Sequence, residues 1–300
     1  MNNATKLEAF RSSLAAKKIH DESVMRVYGP DARTWLNGQI TANVAIASKG
    51  SGIYAVAPTV KGKVISDLVV YDRGDDFLLA LPQSEATKLY DNFQHYIIME
   101  EVELELLPEA RVWSLQGPQA SELKHKLQSD AIEFFSSPRL CENGLDAVIV
   151  QSTNEAALEE AITQYGLLVN ETNWDTMRIR LGIPKFNMDF SNKDFPQEAG
   201  LRKRAISFTK GCYIGQEVVA MLEHRGKQKW LSVHLKSKLL LEPGSELQDQ
   251  SGEDMGKVSS AAWDDEEQCC YALARISATK SEGIETLYCD KQAITVLGHL

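Results

Sequence analysis

What the 300 residues lack narrows their chemistry first. Neither G-x-G-x-x-G nor G-x-x-x-x-G-K-[ST] occurs, so the glycine loops that cradle dinucleotides and nucleoside triphosphates are missing. No G-x-S-x-G elbow is present, which argues against a serine hydrolase of that type. The six histidines show no H-x-x-x-H pair and the five cysteines no C-x-x-C, so no metal site is expected. An odd set of cysteines (Cys141, Cys212, Cys269, Cys270, Cys289) does not read as a disulfide framework either, and a reducing cytoplasm fits it best. No apolar run approaches the eighteen or more residues of a membrane span. The opening MNNATKLEAF carries charges and no apolar core, so it does not read as a secretory signal.

What is present is ordinary in bulk and uneven in detail. Apolar residues make up 43% and charged residues 25%, the balance of a soluble globular protein with room for two or three domains. Net charge is −10, which argues against a protein that coats nucleic acid. Yet between Arg202 and Lys229 seven cations face two anions. That stretch is either a local anion site or a solvated basic face.

Along the chain, Leu7, Phe10 and Leu14 predict an opening helix over residues 4–18. A strand is expected at Val24–Tyr28, then a helix from Gly29-Pro30-Asp31 to about Gly38. Strands follow at 53–57 and 63–71, a turn at 73–76 and a hairpin partner at 77–81. A helix over 83–96 and a strand over 102–106 complete the pattern. The motif then returns: Val112 to Ala120 repeats the strand, Gly-Pro, helix order of Arg26 to Ala32 at an offset of 88 residues. A strand at 147–150, a helix at 154–165 and a strand at 167–169 follow, pointing to two related α+β halves. Thr172 is expected to cap a helix ending before Gly182-Ile183-Pro184, and residues 185–204 read as a functional loop. Beyond a boundary near Gly226, short strands at 230–235, 256–260, 270–276 and 293–297 read as a small antiparallel barrel or sandwich. The domains are therefore expected to be 1–225, with repeats starting near 25 and 112, and 226–300.

The stretch 205–229 carries the densest chemistry. Residues 205–209 read as a strand, Lys210-Gly211-Cys212 as a break, and Tyr213 to His224 as a helix. That would set Cys212 at a helix mouth beside Lys210, where dipole and ammonium favour the thiolate. A lone cysteine is otherwise a small buried hydrophobe, and both readings stand. Asp67, inside the apolar run 64–70, either faces water or has a partner, and exposure is the expectation. Glu198, after Phe195-Pro196-Gln197, is either a surface carboxylate or an acceptor for a planar N–H edge such as a pterin's.

The string Lys210-Gly211-Cys212-Tyr213-Ile214-Gly215-Gln216-Glu217 resembles the K-G-C-[FY]-x-G-Q-E signature of YgfZ-type folate-binding proteins. These are relatives of the glycine cleavage system T-protein, an aminomethyltransferase. Tyr28 to Ala32 with Leu36 to Thr41, Lys61 to Lys63 with Asp67-Leu68, Met177-Arg178-Ile179 with Gly182 to Pro184, and Phe195 to Glu198 resemble further blocks of the family. The resemblance implies a duplicated α+β folate-binding unit followed by a small antiparallel β-barrel, arranged as a ring that receives tetrahydrofolate or a one-carbon derivative. It implies that Glu198 holds the pterin, helped by Gln197, Tyr213, Gln216, Glu217 and Arg178, with Arg225, Lys227 and Lys229 meeting the anionic glutamyl tail or a partner's phosphates. Asp67, Lys210 and Cys212 become the reactive set. Ser66-Asp67 stands where T-proteins carry an Asp-Asp pair. The implied role is support of iron–sulfur enzymes and of tRNA-modifying enzymes by a cytoplasmic monomer with no membrane partner. An aminomethyltransferase and a non-catalytic tRNA- or protein-binding scaffold are the alternatives.

Overall fold

Alternating apolar positions in the first 170 residues resolve into two five-stranded sheets, each faced by helices. The computed structural model describes residues 3–127, 129–140, 143–226, 228–281 and 283–300, with backbone alone for 3–5 and 225. Cys141 and Lys227 lie outside the described residues, and so does the side chain of Arg225. The chain divides into two compact units, one made of residues up to Thr59, Ile65–Asn170 and Ser207–Ile214, the other of Val60–Val64, Glu171–Ile206 and Gly215–Leu300.

In the first unit the elements run α1 (Asn3–Ser12), β1 (Ala15–Ile19), β2 (Glu22–Tyr28), α2 (Ala32–Gln39), β3 (Gly52–Pro58), β4 (Val64–Asp72), β5 (Phe77–Pro82), α3 (Ala86–His95) and β6 (Glu103–Leu107). They continue as β7 (Arg111–Gln116), α4 (Ala120–Lys126), β8 (Glu133–Ser136), β9 (Leu145–Ile149), α5 (Glu155–Tyr165) and β10 (Leu167–Leu168). One sheet has the order β3-β4-β5-β2-β6, the other β10-β1-β7-β9-β8. Strand β4 is buried at eight of its nine positions, as an inner strand covered on both faces should be. Helix α2 buries Ala32, Trp35, Leu36 and Gln39, and α3 buries Ala86, Leu89 and Phe93, a one-sided spacing that lays each on the first sheet's core.

The repeat is physical. Gly29 and Gly117 both hold positive φ, +118° and +110°. A Cβ on Gly29 would lie 2.2 Å from the Glu101 carbonyl oxygen, and one on Gly117 2.6 Å from that of Ser13. Each glycine ends the first strand of its half and admits a neighbouring backbone before the helix starts. Where the first half closes with β6 antiparallel to β2, the second uses β1 against β7, with β10 parallel to β1. The expected helix over 4–18 therefore stops at Ser12, because residues 15–19 satisfy their backbone across the sheet.

In the second unit, α6 (Glu171–Arg180) precedes a long irregular segment, α7 (Arg202–Ala205) and α8 (Gln216–Arg225). Thr172 lies inside α6 rather than capping it, and its carbonyl accepts from the Thr176 hydroxyl. The segment after α6 is knitted by buried charge. Arg178 donates to Asp175, to the Ile183 carbonyl at 3.1 Å and to Asp189 at 2.8 Å, and Asp189 also accepts from the Lys185 amide and Ser260. Strands β11 (Trp230–Ser237), β12 (Glu246–Gln248), β13 (Asp254–Asp264), β14 (Cys269–Ser277), β15 (Thr286–Cys289) and β16 (Gln292–His299) close into a six-stranded antiparallel barrel. Its interior is filled by Val233, Leu235, Leu247, Val258, Ile276, Leu287 and Ile294 among others, so it is a packed core rather than a channel. Among the described residues no helix is long and apolar enough to cross a membrane.

Candidate functional site

The signature segment does not form a strand. Residues 202–205 are the short helix α7, and 206–213 run as irregular backbone. The stretch from Ser207 to Ile214 is laid along the end of α2: the Ser207 amide donates to the Thr41 carbonyl at 3.0 Å, and the Ile214 amide to Gly38 at 3.0 Å. Two motifs 170 residues apart in sequence, Leu36 to Thr41 and Lys210 to Ile214, are thus one piece of structure.

Lys210 is the pin. Its ammonium donates to the carbonyls of Asn37 at 2.6 Å, Ile40 at 2.9 Å and Ala42. These carbonyls lie at and just past the C-terminal end of α2, where the helix leaves acceptors unfilled and favours a cation. Burial pulls the Lys210 ammonium down to about 8. Tyr213 packs its ring 5.2 Å from the same nitrogen, and burial pushes its hydroxyl up to about 12. The ammonium expected to act on Cys212 is therefore a structural clasp, and one face of Tyr213 is covered by it.

Cys212 is exposed, as a working thiol must be, while Cys269, Cys270 and Cys289 are buried. Its helix partner is displaced, however. Helix α8 opens at Gln216 behind its N-cap Gly215, which is held at a φ of +74°, so three residues separate Cys212 from the first helical position. A dipole that fades within one turn does not reach it. Gln216 is half-buried, and Glu217 is exposed in the first turn of α8, where its charge suits the helix end.

Asp67 departs from the expected exposure. It is partly buried on β4, its Oδ2 accepts from the Tyr54 hydroxyl on the neighbouring strand at 2.6 Å, and its Oδ1 is sealed without a partner among the described residues. Burial pushes the carboxyl up to about 6, against the Tyr54 hydrogen bond. Ser66 beside it is fully buried. Between its unfolded value of 3.8 and about 6 the unfolded chain sheds this proton and the folded chain keeps it. Stability should therefore fall as pH rises through that window, by about 3 kcal/mol. Asp67→Asn is expected to remove that fall, leaving the variant more stable than the parent at pH 7.5 and equal to it at pH 3.5 in urea titrations.

Glu198 belongs to the second unit and is 5% exposed. Its Oε1 accepts from the Lys229 amide at 2.9 Å, and its backbone carbonyl from the Ser232 hydroxyl at 2.8 Å. Among the described residues Oε2 takes no donor. Gln197 is likewise buried: its Nε2 donates to the Val219 carbonyl at 2.6 Å, and its Oε1 is sealed without a donor among the described residues. Next in sequence to Lys229, Trp230 has the Lys229 ammonium 5.6 Å and the Arg275 guanidinium 5.1 Å from its ring centre. Sequence reading missed Tyr54 and Trp230, although alternation along β3 and β4 was enough to bring Tyr54 to Asp67. Arg178 was expected to bind ligand, yet its donors serve Asp175, Asp189 and a backbone carbonyl. Among the described residues no group of three or more His, Cys, Asp or Glu side chains is placed to hold a metal ion.

Comparison with known proteins agrees with the two-sheet geometry. The family model for the GCVT N-terminal domain matches residues 3–156. The iron-sulfur cluster assembly factor IBA57 homolog of Neurospora crassa is 28% identical over 226 residues, 70% of this chain, which spans half of that relative's length. The tRNA-modifying protein YgfZ of Cronobacter sakazakii is 26% identical over 83% of this chain and 80% of its own, and that of Escherichia coli 26% over 83% and 81%. Among solved structures, the glycine cleavage system aminomethyltransferase T from Bartonella henselae superposes with a TM-score of 0.86 over 99% of this chain and 88% of its own, at 17% identity, a likeness of fold. With a match across half of its residues, and YgfZ proteins similar to it over most of its length, the chain belongs to the GCVT N-terminal domain family.

Proposed function

We propose that this chain binds tetrahydrofolate or a one-carbon derivative of it, and that it supports iron–sulfur and tRNA-modifying enzymes as a YgfZ-type protein. The observation that carries the reading is Glu198: a buried carboxylate held at one oxygen by a backbone amide, with the other oxygen given no donor among the described residues. Such a group gains from a ligand that brings N–H donors, and a pterin edge brings two side by side. The sealed Oε1 of Gln197 is a second acceptor on the same loop. Gln216 and Glu217, at the start of α8, are assigned to the same folate. On sequence resemblance alone, Asp67, whose carboxyl burial pushes up to about 6, is assigned to the folate's reacting nitrogens, and the exposed Cys212 to thiol chemistry. Arg225 and Lys227 are assigned to the glutamyl tail on sequence alone. Residues 1–225 form the folate-binding part in this reading and 226–300 its closing barrel.

The names of the relatives support the cellular role, since both an iron–sulfur assembly factor and tRNA-modifying proteins align with most of the chain. Aminomethyl transfer is disfavoured because Ser66, buried and hydroxylic, replaces one of the paired acids. Glu198→Gln preserves shape while removing charge and one acceptor, and is expected to weaken folate binding about 30-fold in calorimetric titration, or about 2 kcal/mol. Unchanged affinity in that variant would assign the pterin to other residues.

A further inference from the structure

The turn between α3 and β6 is held by an unusual density of hydrogen bonds for an exposed loop. The Trp35 indole donates to the Tyr96 carbonyl at 3.2 Å, and the Ile97 amide to Gln94 at 3.2 Å. One carboxylate oxygen of Glu100 accepts from the amides of both Ile98 and Met99, at 3.0 and 3.1 Å. Asp31 grips the far side, accepting from the Glu101 amide at 2.9 Å while its own amide donates to the Glu101 carbonyl. The result is a fixed tip on which Ile98 and Met99 stand 82% and 91% exposed. Isolated apolar side chains on a surface are commonplace, but two adjacent ones on a cinched loop present a preorganised anchor with little ordering left to lose on binding.

The charge around the tip says what it fits. Between Tyr96 and Ala110 there are five glutamates and no lysine or arginine. Glu100, Glu101, Glu103 and Glu105 are all exposed, Glu103 accepting from the Tyr28 hydroxyl and Glu105 lying 4.0 Å from Arg26. An anionic rim repels phosphate backbones and acidic lipid headgroups, and it attracts a rim of lysine and arginine. We propose that the Ile98–Met99 tip is a docking knob for a partner protein that offers an apolar socket bordered by basic side chains. Contact through two anchors and a charged border belongs to the small, transient class of interfaces, with electrostatics setting the encounter rate.

The test places a photo-crosslinking benzoylphenylalanine at position 99 of the full chain in cells, with the same residue at Ile46, itself 81% exposed, as control. The proposal expects a protein adduct at 99 and not at 46, its cross-linked peptide mapped by mass spectrometry to a basic surface. The purified adduct partner should then bind the full chain, with affinity lowered at least tenfold by Ile98→Ser/Met99→Ser and by Glu101→Lys/Glu105→Lys. Adducts no more abundant at 99 than at 46, adducts to a second copy of this chain alone, or affinity unmoved by both pairs of substitutions would overturn it. So would tip-dependent binding to phosphatidylserine vesicles or to tRNA at 0.15 M salt.

Discussion

Arg139→Met is expected to destabilise the protein by about 3–5 kcal/mol, because it removes the cation from a buried set of carboxylates. Arg139 donates to both oxygens of Glu22 at 2.7 and 2.6 Å, to Asp146 at 2.8 Å and to the Tyr71 hydroxyl at 3.2 Å. Asp146 is fully buried and accepts from Tyr71 and Ser114 as well, at 2.6 and 2.7 Å. These residues come from β2, β4, β7, β9 and the turn after β8, so the network stitches the two sheets of the first unit together. Methionine fills the volume of the arginine stem and leaves two carboxylates without their counter-charge. Urea unfolding at pH 7 reads the loss. The triple variant with Glu22→Gln and Asp146→Asn should recover more than half of it, since the penalty lies in stranded charge and not in lost packing.

Lys210→Met is the second large effect, at about 3 kcal/mol, for three carbonyls lose a charged donor at a buried helix end. Arginine should not rescue it. The three acceptors converge on a single nitrogen, and a planar guanidinium spreads its donors over a fork. The loss should be local as well as global: the Ile214 amide, bonded to the Gly38 carbonyl, should lose hydrogen-exchange protection earlier in the variant than amides of β4 do. If the signature lysine served the Cys212 sulfur and not the fold, stability and exchange would be unmoved.

Sequence pattern reached the architecture further than it reached the site. The Gly-Pro pairs at 29–30 and 117–118 announced the duplication because both glycines face the same steric demand, a neighbouring carbonyl closer than a Cβ allows. The barrel was legible in the alternation of β11, β13, β14 and β16, while β12 and β15, three and four residues long, left too little period to see. Strand β1 was hidden because Leu14-Ala15-Ala16 suits a helix locally, and only pairing with residues about a hundred positions away decides otherwise. At the site, Tyr213 to Gly215 carry helix-compatible side chains, and the left-handed Gly215 is what delays α8. Lys210 looked reactive and Arg178 ligand-binding since their partners are a helix end 170 residues upstream and a carboxylate within an irregular loop. A cation in a motif says that an acceptor is near, not whether that acceptor is substrate or backbone. Glu198 and Asp67 each retain an oxygen without a donor among the described residues, and that is what the proposed folate assignment draws on.

The central claim is that the chain holds a reduced folate through Glu198. Equilibrium dialysis of the unmodified full chain against tetrahydrofolate under anaerobic conditions tests it most directly. One saturable site per chain, filled well below millimolar ligand, is the predicted result; no retention of folate at millimolar concentration would contradict it.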